Sequence, residues 1–334
     1  MKKKNIIIIA EAGVNHNGQV KNAIKLIDKA AESGADYIKF QHTNPELISP
    51  KAKKAKYQIK NTKNTESQKD MINKLHLDWN RVYKILLKRC NLKNIKFLTS
   101  AFSKDDFLIV NEINSDFIKI PSGEIVNTEL LEEISKSKKK ILLSTGMANI
   151  KEIKFALKVL TKYHPLKRIT LLHCVSEYPT NFENSNLNSI NFFKKKFRIE
   201  VGISDHSLDI EVPIASAAMG VNVIEKHFTL SKKMKGPDHK ASLEPKEFKL
   251  MVSKIRNIEK AIGRYEKKPT KSELITRSLV RQSIHAKTNI EKGEKFTPKN
   301  ICLMRPFDGL PSFKLKRLYN TVSKKKFRKY DPIK

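Results

Sequence analysis

Residues 117–124 read FIKIPSGE. An apolar run, Phe117–Ile120, carries a lysine inside it, stops at Pro121 and then delivers Ser122, Gly123 and Glu124. Aromatic and β-branched residues bounded by a proline predict a short buried strand with a polar mouth. Seven other runs repeat the pattern: IIIIA (6–10), YIKFQ (37–41), KFLTS (96–100), KILLS (140–144), ITLLHC (169–174), EVGIS (200–204) and NVIEKHF (222–228). Between them lie stretches with apolar residues at three- and four-residue spacing: 20–34, 78–90, 105–113, 128–136, 150–163, 208–220 and 245–263. Gly34, Gly220 and Gly263 stand where helix C-caps belong. Eight strand–helix units in about 260 residues predict a (β/α)8 TIM barrel. An open doubly wound sheet would show a G-x-G-x-x-G turn after an early strand, whereas the first strand here runs into EAGVNHNG.

Two segments depart from a plain barrel. Residues 42–77 read as a long polar loop on the strand-end side, the place for a substrate lid. After the barrel domain, 1–263, comes a polar linker over 264–277. A small β-rich module then spans 278–334, with turn signals at Lys292-Gly293 and Pro298-Lys299.

Lys+Arg number 67 against Asp+Glu 34, a formal net charge of +33. Such an excess raises nucleic acid or an anionic membrane as a partner. The lysines are scattered, however, as in SKSKKK, FFKKKF and SKKKFRK, and form no aromatic-interleaved stripe for single strands. A lysine-, asparagine- and isoleucine-rich coding bias accounts for them, while the positive field favours small anionic substrates. Three separated cysteines, Cys90, Cys174 and Cys302, suggest reduced thiols rather than a disulfide framework. The start MKKKNIIIIAEAG imitates a signal peptide, but its apolar run is too short. No stretch reaches the ~18 apolar residues of a membrane span. A cytoplasmic protein without a membrane or nucleic-acid partner is expected.

Catalytic groups of a barrel come from the C-terminal strand ends, and here nearly every strand ends polar. In strand order they give Glu11; Lys39 and Gln41; Ser100; Lys119, Ser122 and Glu124; Ser144; Ser176 and Tyr178 beyond the sixth; Ser204 and His206; and Glu225 with His227. Each alone has an ordinary explanation, since serines cap turns and lysines snorkel outward. Their gathering at one end of eight units does not. Two lysines with hydroxyls suit a phosphate. Two histidines near carboxylates suit a divalent metal such as Mn²⁺, Mg²⁺ or Co²⁺. Glu11 and Glu124 can move protons.

The ordered set AEAGVNHNG, IKFQ, AKYQIKNT, KIPSGE, LSTGM, LLHCVSEYPT, GISDHS, EKHFTL, GPDHKASLEP and KGEKF…MRP resembles the sialic acid synthases, in register from about residue 5 to 330. The resemblance implies condensation of phosphoenolpyruvate with an acylated hexosamine, on a barrel followed by an antifreeze-like (SAF) domain, in a domain-swapped homodimer. It places Lys39, Ser100, Lys119, Ser122, Ser144, Ser176 and Ser204 on phosphoenolpyruvate. Gln41, Tyr178 and Asp238 fall on the sugar, and Arg305 reaches it from the partner subunit. His206 and His227 fall on the metal, and Glu11 and Glu124 become the acid/base pair. N-acetylneuraminate synthase, using N-acetylmannosamine, is the leading expectation. N,N'-diacetyllegionaminate synthase, using a 2,4-diacetamido-6-deoxy mannose, is the alternative. A basic nucleic-acid-binding protein on an inactive barrel is the reading from another class, and the intact acid, lysine and histidine set argues against it. Three departures stand out. Ser176 occupies a position where some members have asparagine, RPFDG follows where R-P-G-x-G is commoner, and YPTNFEN has lost a proline. The Ser-Gly-Glu at 122–124 also differs from the Ser-Phe-Glu of pseudaminic acid synthases.

Overall fold

The computed structural model describes residues 5–42, 44–113 and 115–334; the first four residues of the basic start lie outside it. The chain forms two compact units, Met1–Gly263 and Arg264–Lys334. In the first, eight parallel strands close in sequence order into the expected (β/α)8 barrel. They are β1 Ile7–Gly13, β2 Tyr37–Gln41, β3 Lys96–Ser100, β4 Phe117–Ile120, β5 Lys140–Ser144, β6 Ile169–Cys174, β7 Glu200–Asp205 and β8 Val223–His227. β8 pairs with β1 and shuts the cylinder.

Strand side chains alternate between the helix layer and the barrel interior. The outward set, including Ile8, Ile38, Phe40, Ile141 and Leu143, packs beneath the helices in the main core. The inward set begins with an apolar plug of Ile9, Tyr37, Leu98, Phe117, Leu142, Leu172 and Val223. Two residues further along, the same parity delivers Glu11, Lys39, Ser100, Lys119, Ser144, Cys174 and Glu225. An apolar floor therefore lies directly under a polar one. β7 contributes Gly202 to the plug layer. A Cβ there would fall 2.6 Å from Leu172 Cδ2 and 2.7 Å from the Val223 carbonyl oxygen, so its neighbours fill its space.

The helices are α1 Val20–Glu32, α2 Lys56–Thr62, α3 Gln68–Leu75, α4 Trp79–Leu92, α5 Lys104–Glu112, α6 Thr128–Ser135, α7 Ile150–Leu160, α8 Asn188–Phe197, α9 Glu211–Ala218 and α10 Pro245–Ala261. α8 was absent from the sequence-based expectations. Its buried residues are Ile190 and Phe193, with Phe197 packed against the same core after three consecutive lysines. The 42–77 segment is not structureless, because it carries α2 and α3. Ser67 caps α3 by accepting from the Asp70 N–H. Met71, Ile72 and Leu75 pack with Val14 in a small core beyond the end of β1. Asn61 donates to the Pro237 carbonyl at 2.6 Å, tying α2 to the loop after β8.

In the second unit, α11 Lys271–Val280 occupies much of the stretch expected as linker. A capping box starts it: Thr270 Oγ1 accepts from the Glu273 N–H, and the Glu273 carboxylate accepts from the Thr270 N–H. The antiparallel strands β9 Ser283–Ala286 and β10 Ile301–Met304 follow. They enclose a core of Ile284, Ile290, Phe296, Ile301, Phe327 and Ile333. No helix among the described residues is long and apolar enough to cross a membrane.

Filling the plug layer should be destabilising. Gly202→Ala is expected to cost about 1–3 kcal/mol through overpacking. A thermal melt should move down by roughly 2–4 °C per kcal/mol for a domain this large. An unchanged melt would mean that Leu172 and Val223 yield freely.

Candidate active site

The polar floor is a buried charge cluster. Lys39 Nζ lies 2.7 Å from Glu11 Oε2 and 3.9 Å from Glu225 Oε2, and Lys119 Nζ donates to Glu225 Oε1 at 3.0 Å. All four residues are almost wholly buried. Their environments separate the two carboxyls. Burial pushes Glu11 up against the pull of Lys39. Glu225 feels the same burial, but Lys119 and Lys39 draw it down to about 2. Burial also works to lower Lys39, and Glu11 and Glu225 more than offset it, holding the ammonium protonated. The two carboxyls are thus pushed in opposite directions, Glu225 held as an anion beside the two lysines and Glu11 raised by its burial.

Around the cluster is a cavity of ≈ 400 Å³. Its walls include Glu11, Lys39, Gln41, Ser100, Lys119, Ser122, Ser144, Ser176, Tyr178, Ser204, His206, Glu225, His227 and Asp238. Thirteen of the fifteen expected residues are therefore brought together, and Glu225, read as a strand-end residue without a role, joins them. The Ser204 hydroxyl donates to Glu225 Oε1 at 2.8 Å. The hydroxyls of Ser100 and Ser144 are buried without a hydrogen-bond partner. Unpaired buried donors are costly and call for an acceptor to arrive. Gly146 lets the Ser176 and Ser122 hydroxyls close in on the backbone. A Cβ there would collide with Ser176 Oγ and stand 2.7 Å from Ser122 Oγ. Two ammonium groups and free hydroxyls suit phosphate and carboxylate oxygens.

His206 and His227 face each other with ring centroids 5.3 Å apart, and Tyr178 lies 4.1 Å from His206, with Tyr57 stacked on it at 5.0 Å. His206 Nδ1 is bonded to the Val175 carbonyl at 2.6 Å, which leaves its other nitrogen for a ligand. His227 Nδ1 is buried without a partner. Burial and His206 hold His227 well below its usual range, hence neutral, as a metal ligand must be. Among the described residues no group of three or more His, Cys, Asp or Glu is arranged to hold a metal. The pair fits a half-site whose other positions belong to water and substrate.

Two expected residues lie elsewhere. Glu124 follows β4 but lines an adjoining cavity, where Asn127 Nδ2 donates to its Oε2 at 2.7 Å. Arg305 stands exposed just beyond β10 in the second unit. His239 is buried between Thr229 Oγ1, 2.6 Å from its Nδ1, and Asn17 Oδ1, 3.1 Å from its Nε2. Tyr57 lies in the AKYQIKNT motif, but nothing in the sequence assigns it a role of its own.

A (β/α)8 barrel with a two-lysine, hydroxyl-rich anion floor and a histidine pair at its strand ends defines an enzyme acting on a small phosphorylated anion. Comparison with known proteins makes the class specific. The NeuB family model matches residues 26–267. The N,N'-diacetyllegionaminic acid synthase of Campylobacter jejuni is 46% identical over 332 residues, covering 99% of both chains. That of Legionella pneumophila is 39% identical over 309 residues, covering 91% of this chain and 86% of its own. The crystal structure of the N-acetylneuraminic acid (sialic acid) synthetase of Leptospira borgpetersenii, in complex with citrate, superposes with a TM-score of 0.72. It is 33% identical and covers 82% of this chain and 90% of its own. The chain belongs to the NeuB family of sialic acid synthases and is a sugar-acid synthase.

Asp238 gives a pH-dependent test. Burial first, then Glu11, raises its carboxyl from 3.8 to about 6, and its Oδ1 has no partner. The folded state therefore binds the proton more tightly than the unfolded one, and stability falls as pH rises from about 4 to 6. Asp238→Asn removes that loss. In metal-free buffer its stability should match the wild type near pH 4 and exceed it at pH 7.5 by up to ~3 kcal/mol, at 1.36 kcal/mol per unit. Equal denaturation midpoints at both pH values would refute the raised carboxyl.

Proposed function

We propose that the protein condenses phosphoenolpyruvate with 2,4-diacetamido-2,4,6-trideoxymannose and water, giving N,N'-diacetyllegionaminate and phosphate. The observation that carries this acceptor is the 46% identity, over nearly the whole of both chains, with the Campylobacter legionaminic acid synthase, and the Legionella relative agrees with it. N-acetylneuraminate synthesis, first on the motifs alone, becomes the second reading.

Lys39, Lys119 and the hydroxyls of Ser100, Ser122, Ser144, Ser176 and Ser204 take the phosphate and carboxylate of phosphoenolpyruvate. Gln41, Tyr178 and Asp238 hold the open-chain sugar above it. Mn²⁺, Mg²⁺ or Co²⁺ on His206 and His227 would supply a Lewis acid for the aldehyde oxygen. C3 of phosphoenolpyruvate bonds to the aldehyde carbon and the aldehyde oxygen takes a proton. Water then adds at C2, and the C–O bond to phosphate breaks. Glu11, with its raised carboxyl beside Lys39, exchanges the proton at the phosphoenolpyruvate end. Glu124 serves the acceptor end.

Turnover of phosphoenolpyruvate with each sugar, followed by mass spectrometry of the product, tests the acceptor. The diacetamido sugar should exceed N-acetylmannosamine in kcat/KM by at least about tenfold, the low end of pocket discrimination. Chelation should stop turnover and Mn²⁺ should restore it. The opposite preference would return N-acetylneuraminate to first place.

We also assign Arg305 to the acceptor's acyl end, reaching it from the second unit of a partner copy. Among the described residues no arginine lines the central cavity, and a two-fold dimer makes such an exchange reciprocal. Arg305→Ala should raise the KM for the sugar. Mixing it with inactive Glu124→Gln should restore part of the activity, because one site of each heterodimer then keeps both residues. No recovery after demonstrated subunit exchange would overturn the assignment.

A further inference from the structure

The adjoining cavity, ≈ 610 Å³, is larger than the anion cavity. Gln41, Gln58, Gln68, Ile72 and Phe102 line both, so the two adjoin across a common wall. Beyond that shared wall the side cavity is lined by Asn44, Leu47, Ile48 and Asn127, with Lys104, Glu124 and Glu129. Its chemistry differs from that of the anion floor. It has no histidine, and it combines five side-chain carboxamides with branched aliphatic and aromatic carbon.

That combination matches an acylamino group. An acetamido substituent offers one N–H donor, one carbonyl acceptor and a methyl. Carboxamides supply both hydrogen-bond partners without a charge, and aliphatic side chains pack the methyl. Several of these carboxamides are already oriented by the fold. Gln58 Oε1 accepts from the Ala55 N–H at 2.9 Å, leaving its amide N–H₂ to donate elsewhere. Asn127 Oδ1 accepts from the Leu130 N–H, and its Nδ2 donates to Glu124. Gln58 comes from α2, which Asn61 ties to the loop after β8, and Gln68 and Ile72 come from α3, which the small core with Val14 fixes beyond the end of β1. A sugar with hydroxyls where the second acetamido and the terminal methyl belong would leave this apolar wall facing water.

We infer that the side cavity is the subsite that reads the acceptor's second acylamino group and its deoxy methyl, and that it selects a diacetamido-trideoxy sugar over a mono-acetamido hexose. The inference rests on the acceptor proposed above.

Ile48 lines only the side cavity and Gln68 lines its junction with the anion cavity. The test measures the ratio of kcat/KM for the diacetamido sugar to that for N-acetylmannosamine, in the wild type, in Ile48→Trp, which fills the space, and in Gln68→Leu, which removes a carboxamide. The wild-type ratio should exceed about ten and each variant should reduce it at least tenfold. If the wild type favours N-acetylmannosamine, the proposed acceptor fails and takes the occupant of this subsite with it. If the wild type favours the diacetamido sugar but both variants keep its ratio, the acceptor stands and the subsite is refuted. Should Ile48→Trp fail to fold, Gln68→Leu decides alone.

Discussion

The buried quartet of Glu11, Lys39, Lys119 and Glu225 governs the arrangement of this barrel. Each ion has left water at a cost of several kcal/mol and is tolerated only because its partners are in place. The partners sit on β1, β2, β4 and β8. Every strand must therefore keep its register, since a slip of one residue would turn a lysine into the helix layer. The apolar plug directly below keeps water from entering through the bottom of the barrel. Plug and quartet support each other, the first by keeping the second dry and the second by closing the first from above.

The same strands carry another buried ion pair, and the contrast shows what makes the inward set reactive. Lys226 and Asp205 point to the outer side of the sheet, one residue out of phase with Glu225 and Ser204. There the ammonium reaches Asp205 and both the carbonyl and the hydroxyl of Ser207, and the Asp205 carboxylate accepts from the Ser207 N–H and hydroxyl. That pair is saturated and holds β7 to β8. The inward layer is under-satisfied, with free hydroxyls on Ser100 and Ser144 and lone atoms on His227 and Asp238. Stability has been given up where a ligand can recover it.

Most of the barrel was legible because its signals are local. Proline and glycine punctuation, β-rich runs and the polar residue at each run's end survive in a single sequence. α8 did carry a signal, since Ile190, Phe193 and Phe197 recur at three- and four-residue spacing, diluted by three consecutive lysines. α2 and α3 were hidden in a polar stretch, and only the packing of α3 against Val14 shows that the segment has a core. α11 was missed for a different reason. Its T-K-S-E start is a capping box, but no residue of the helix is buried, so nothing apolar drew attention to it.

The sequence by itself determined which residues face the barrel interior, because side-chain parity along a strand is a property of neighbours in the chain. It therefore determined that lysines, serines, glutamates and histidines would gather at one end. Only the tertiary structure decided which of them meet. Lys119 and Glu225 are 106 residues apart in sequence and join across the barrel interior. Glu225 acquires its role only when β8 closes against β1, and Glu124, adjacent in sequence to the anion site, is turned into the neighbouring cavity. Parity is set locally by the backbone. Contact across a closed cylinder depends on the stagger of all eight strands, which no single segment encodes.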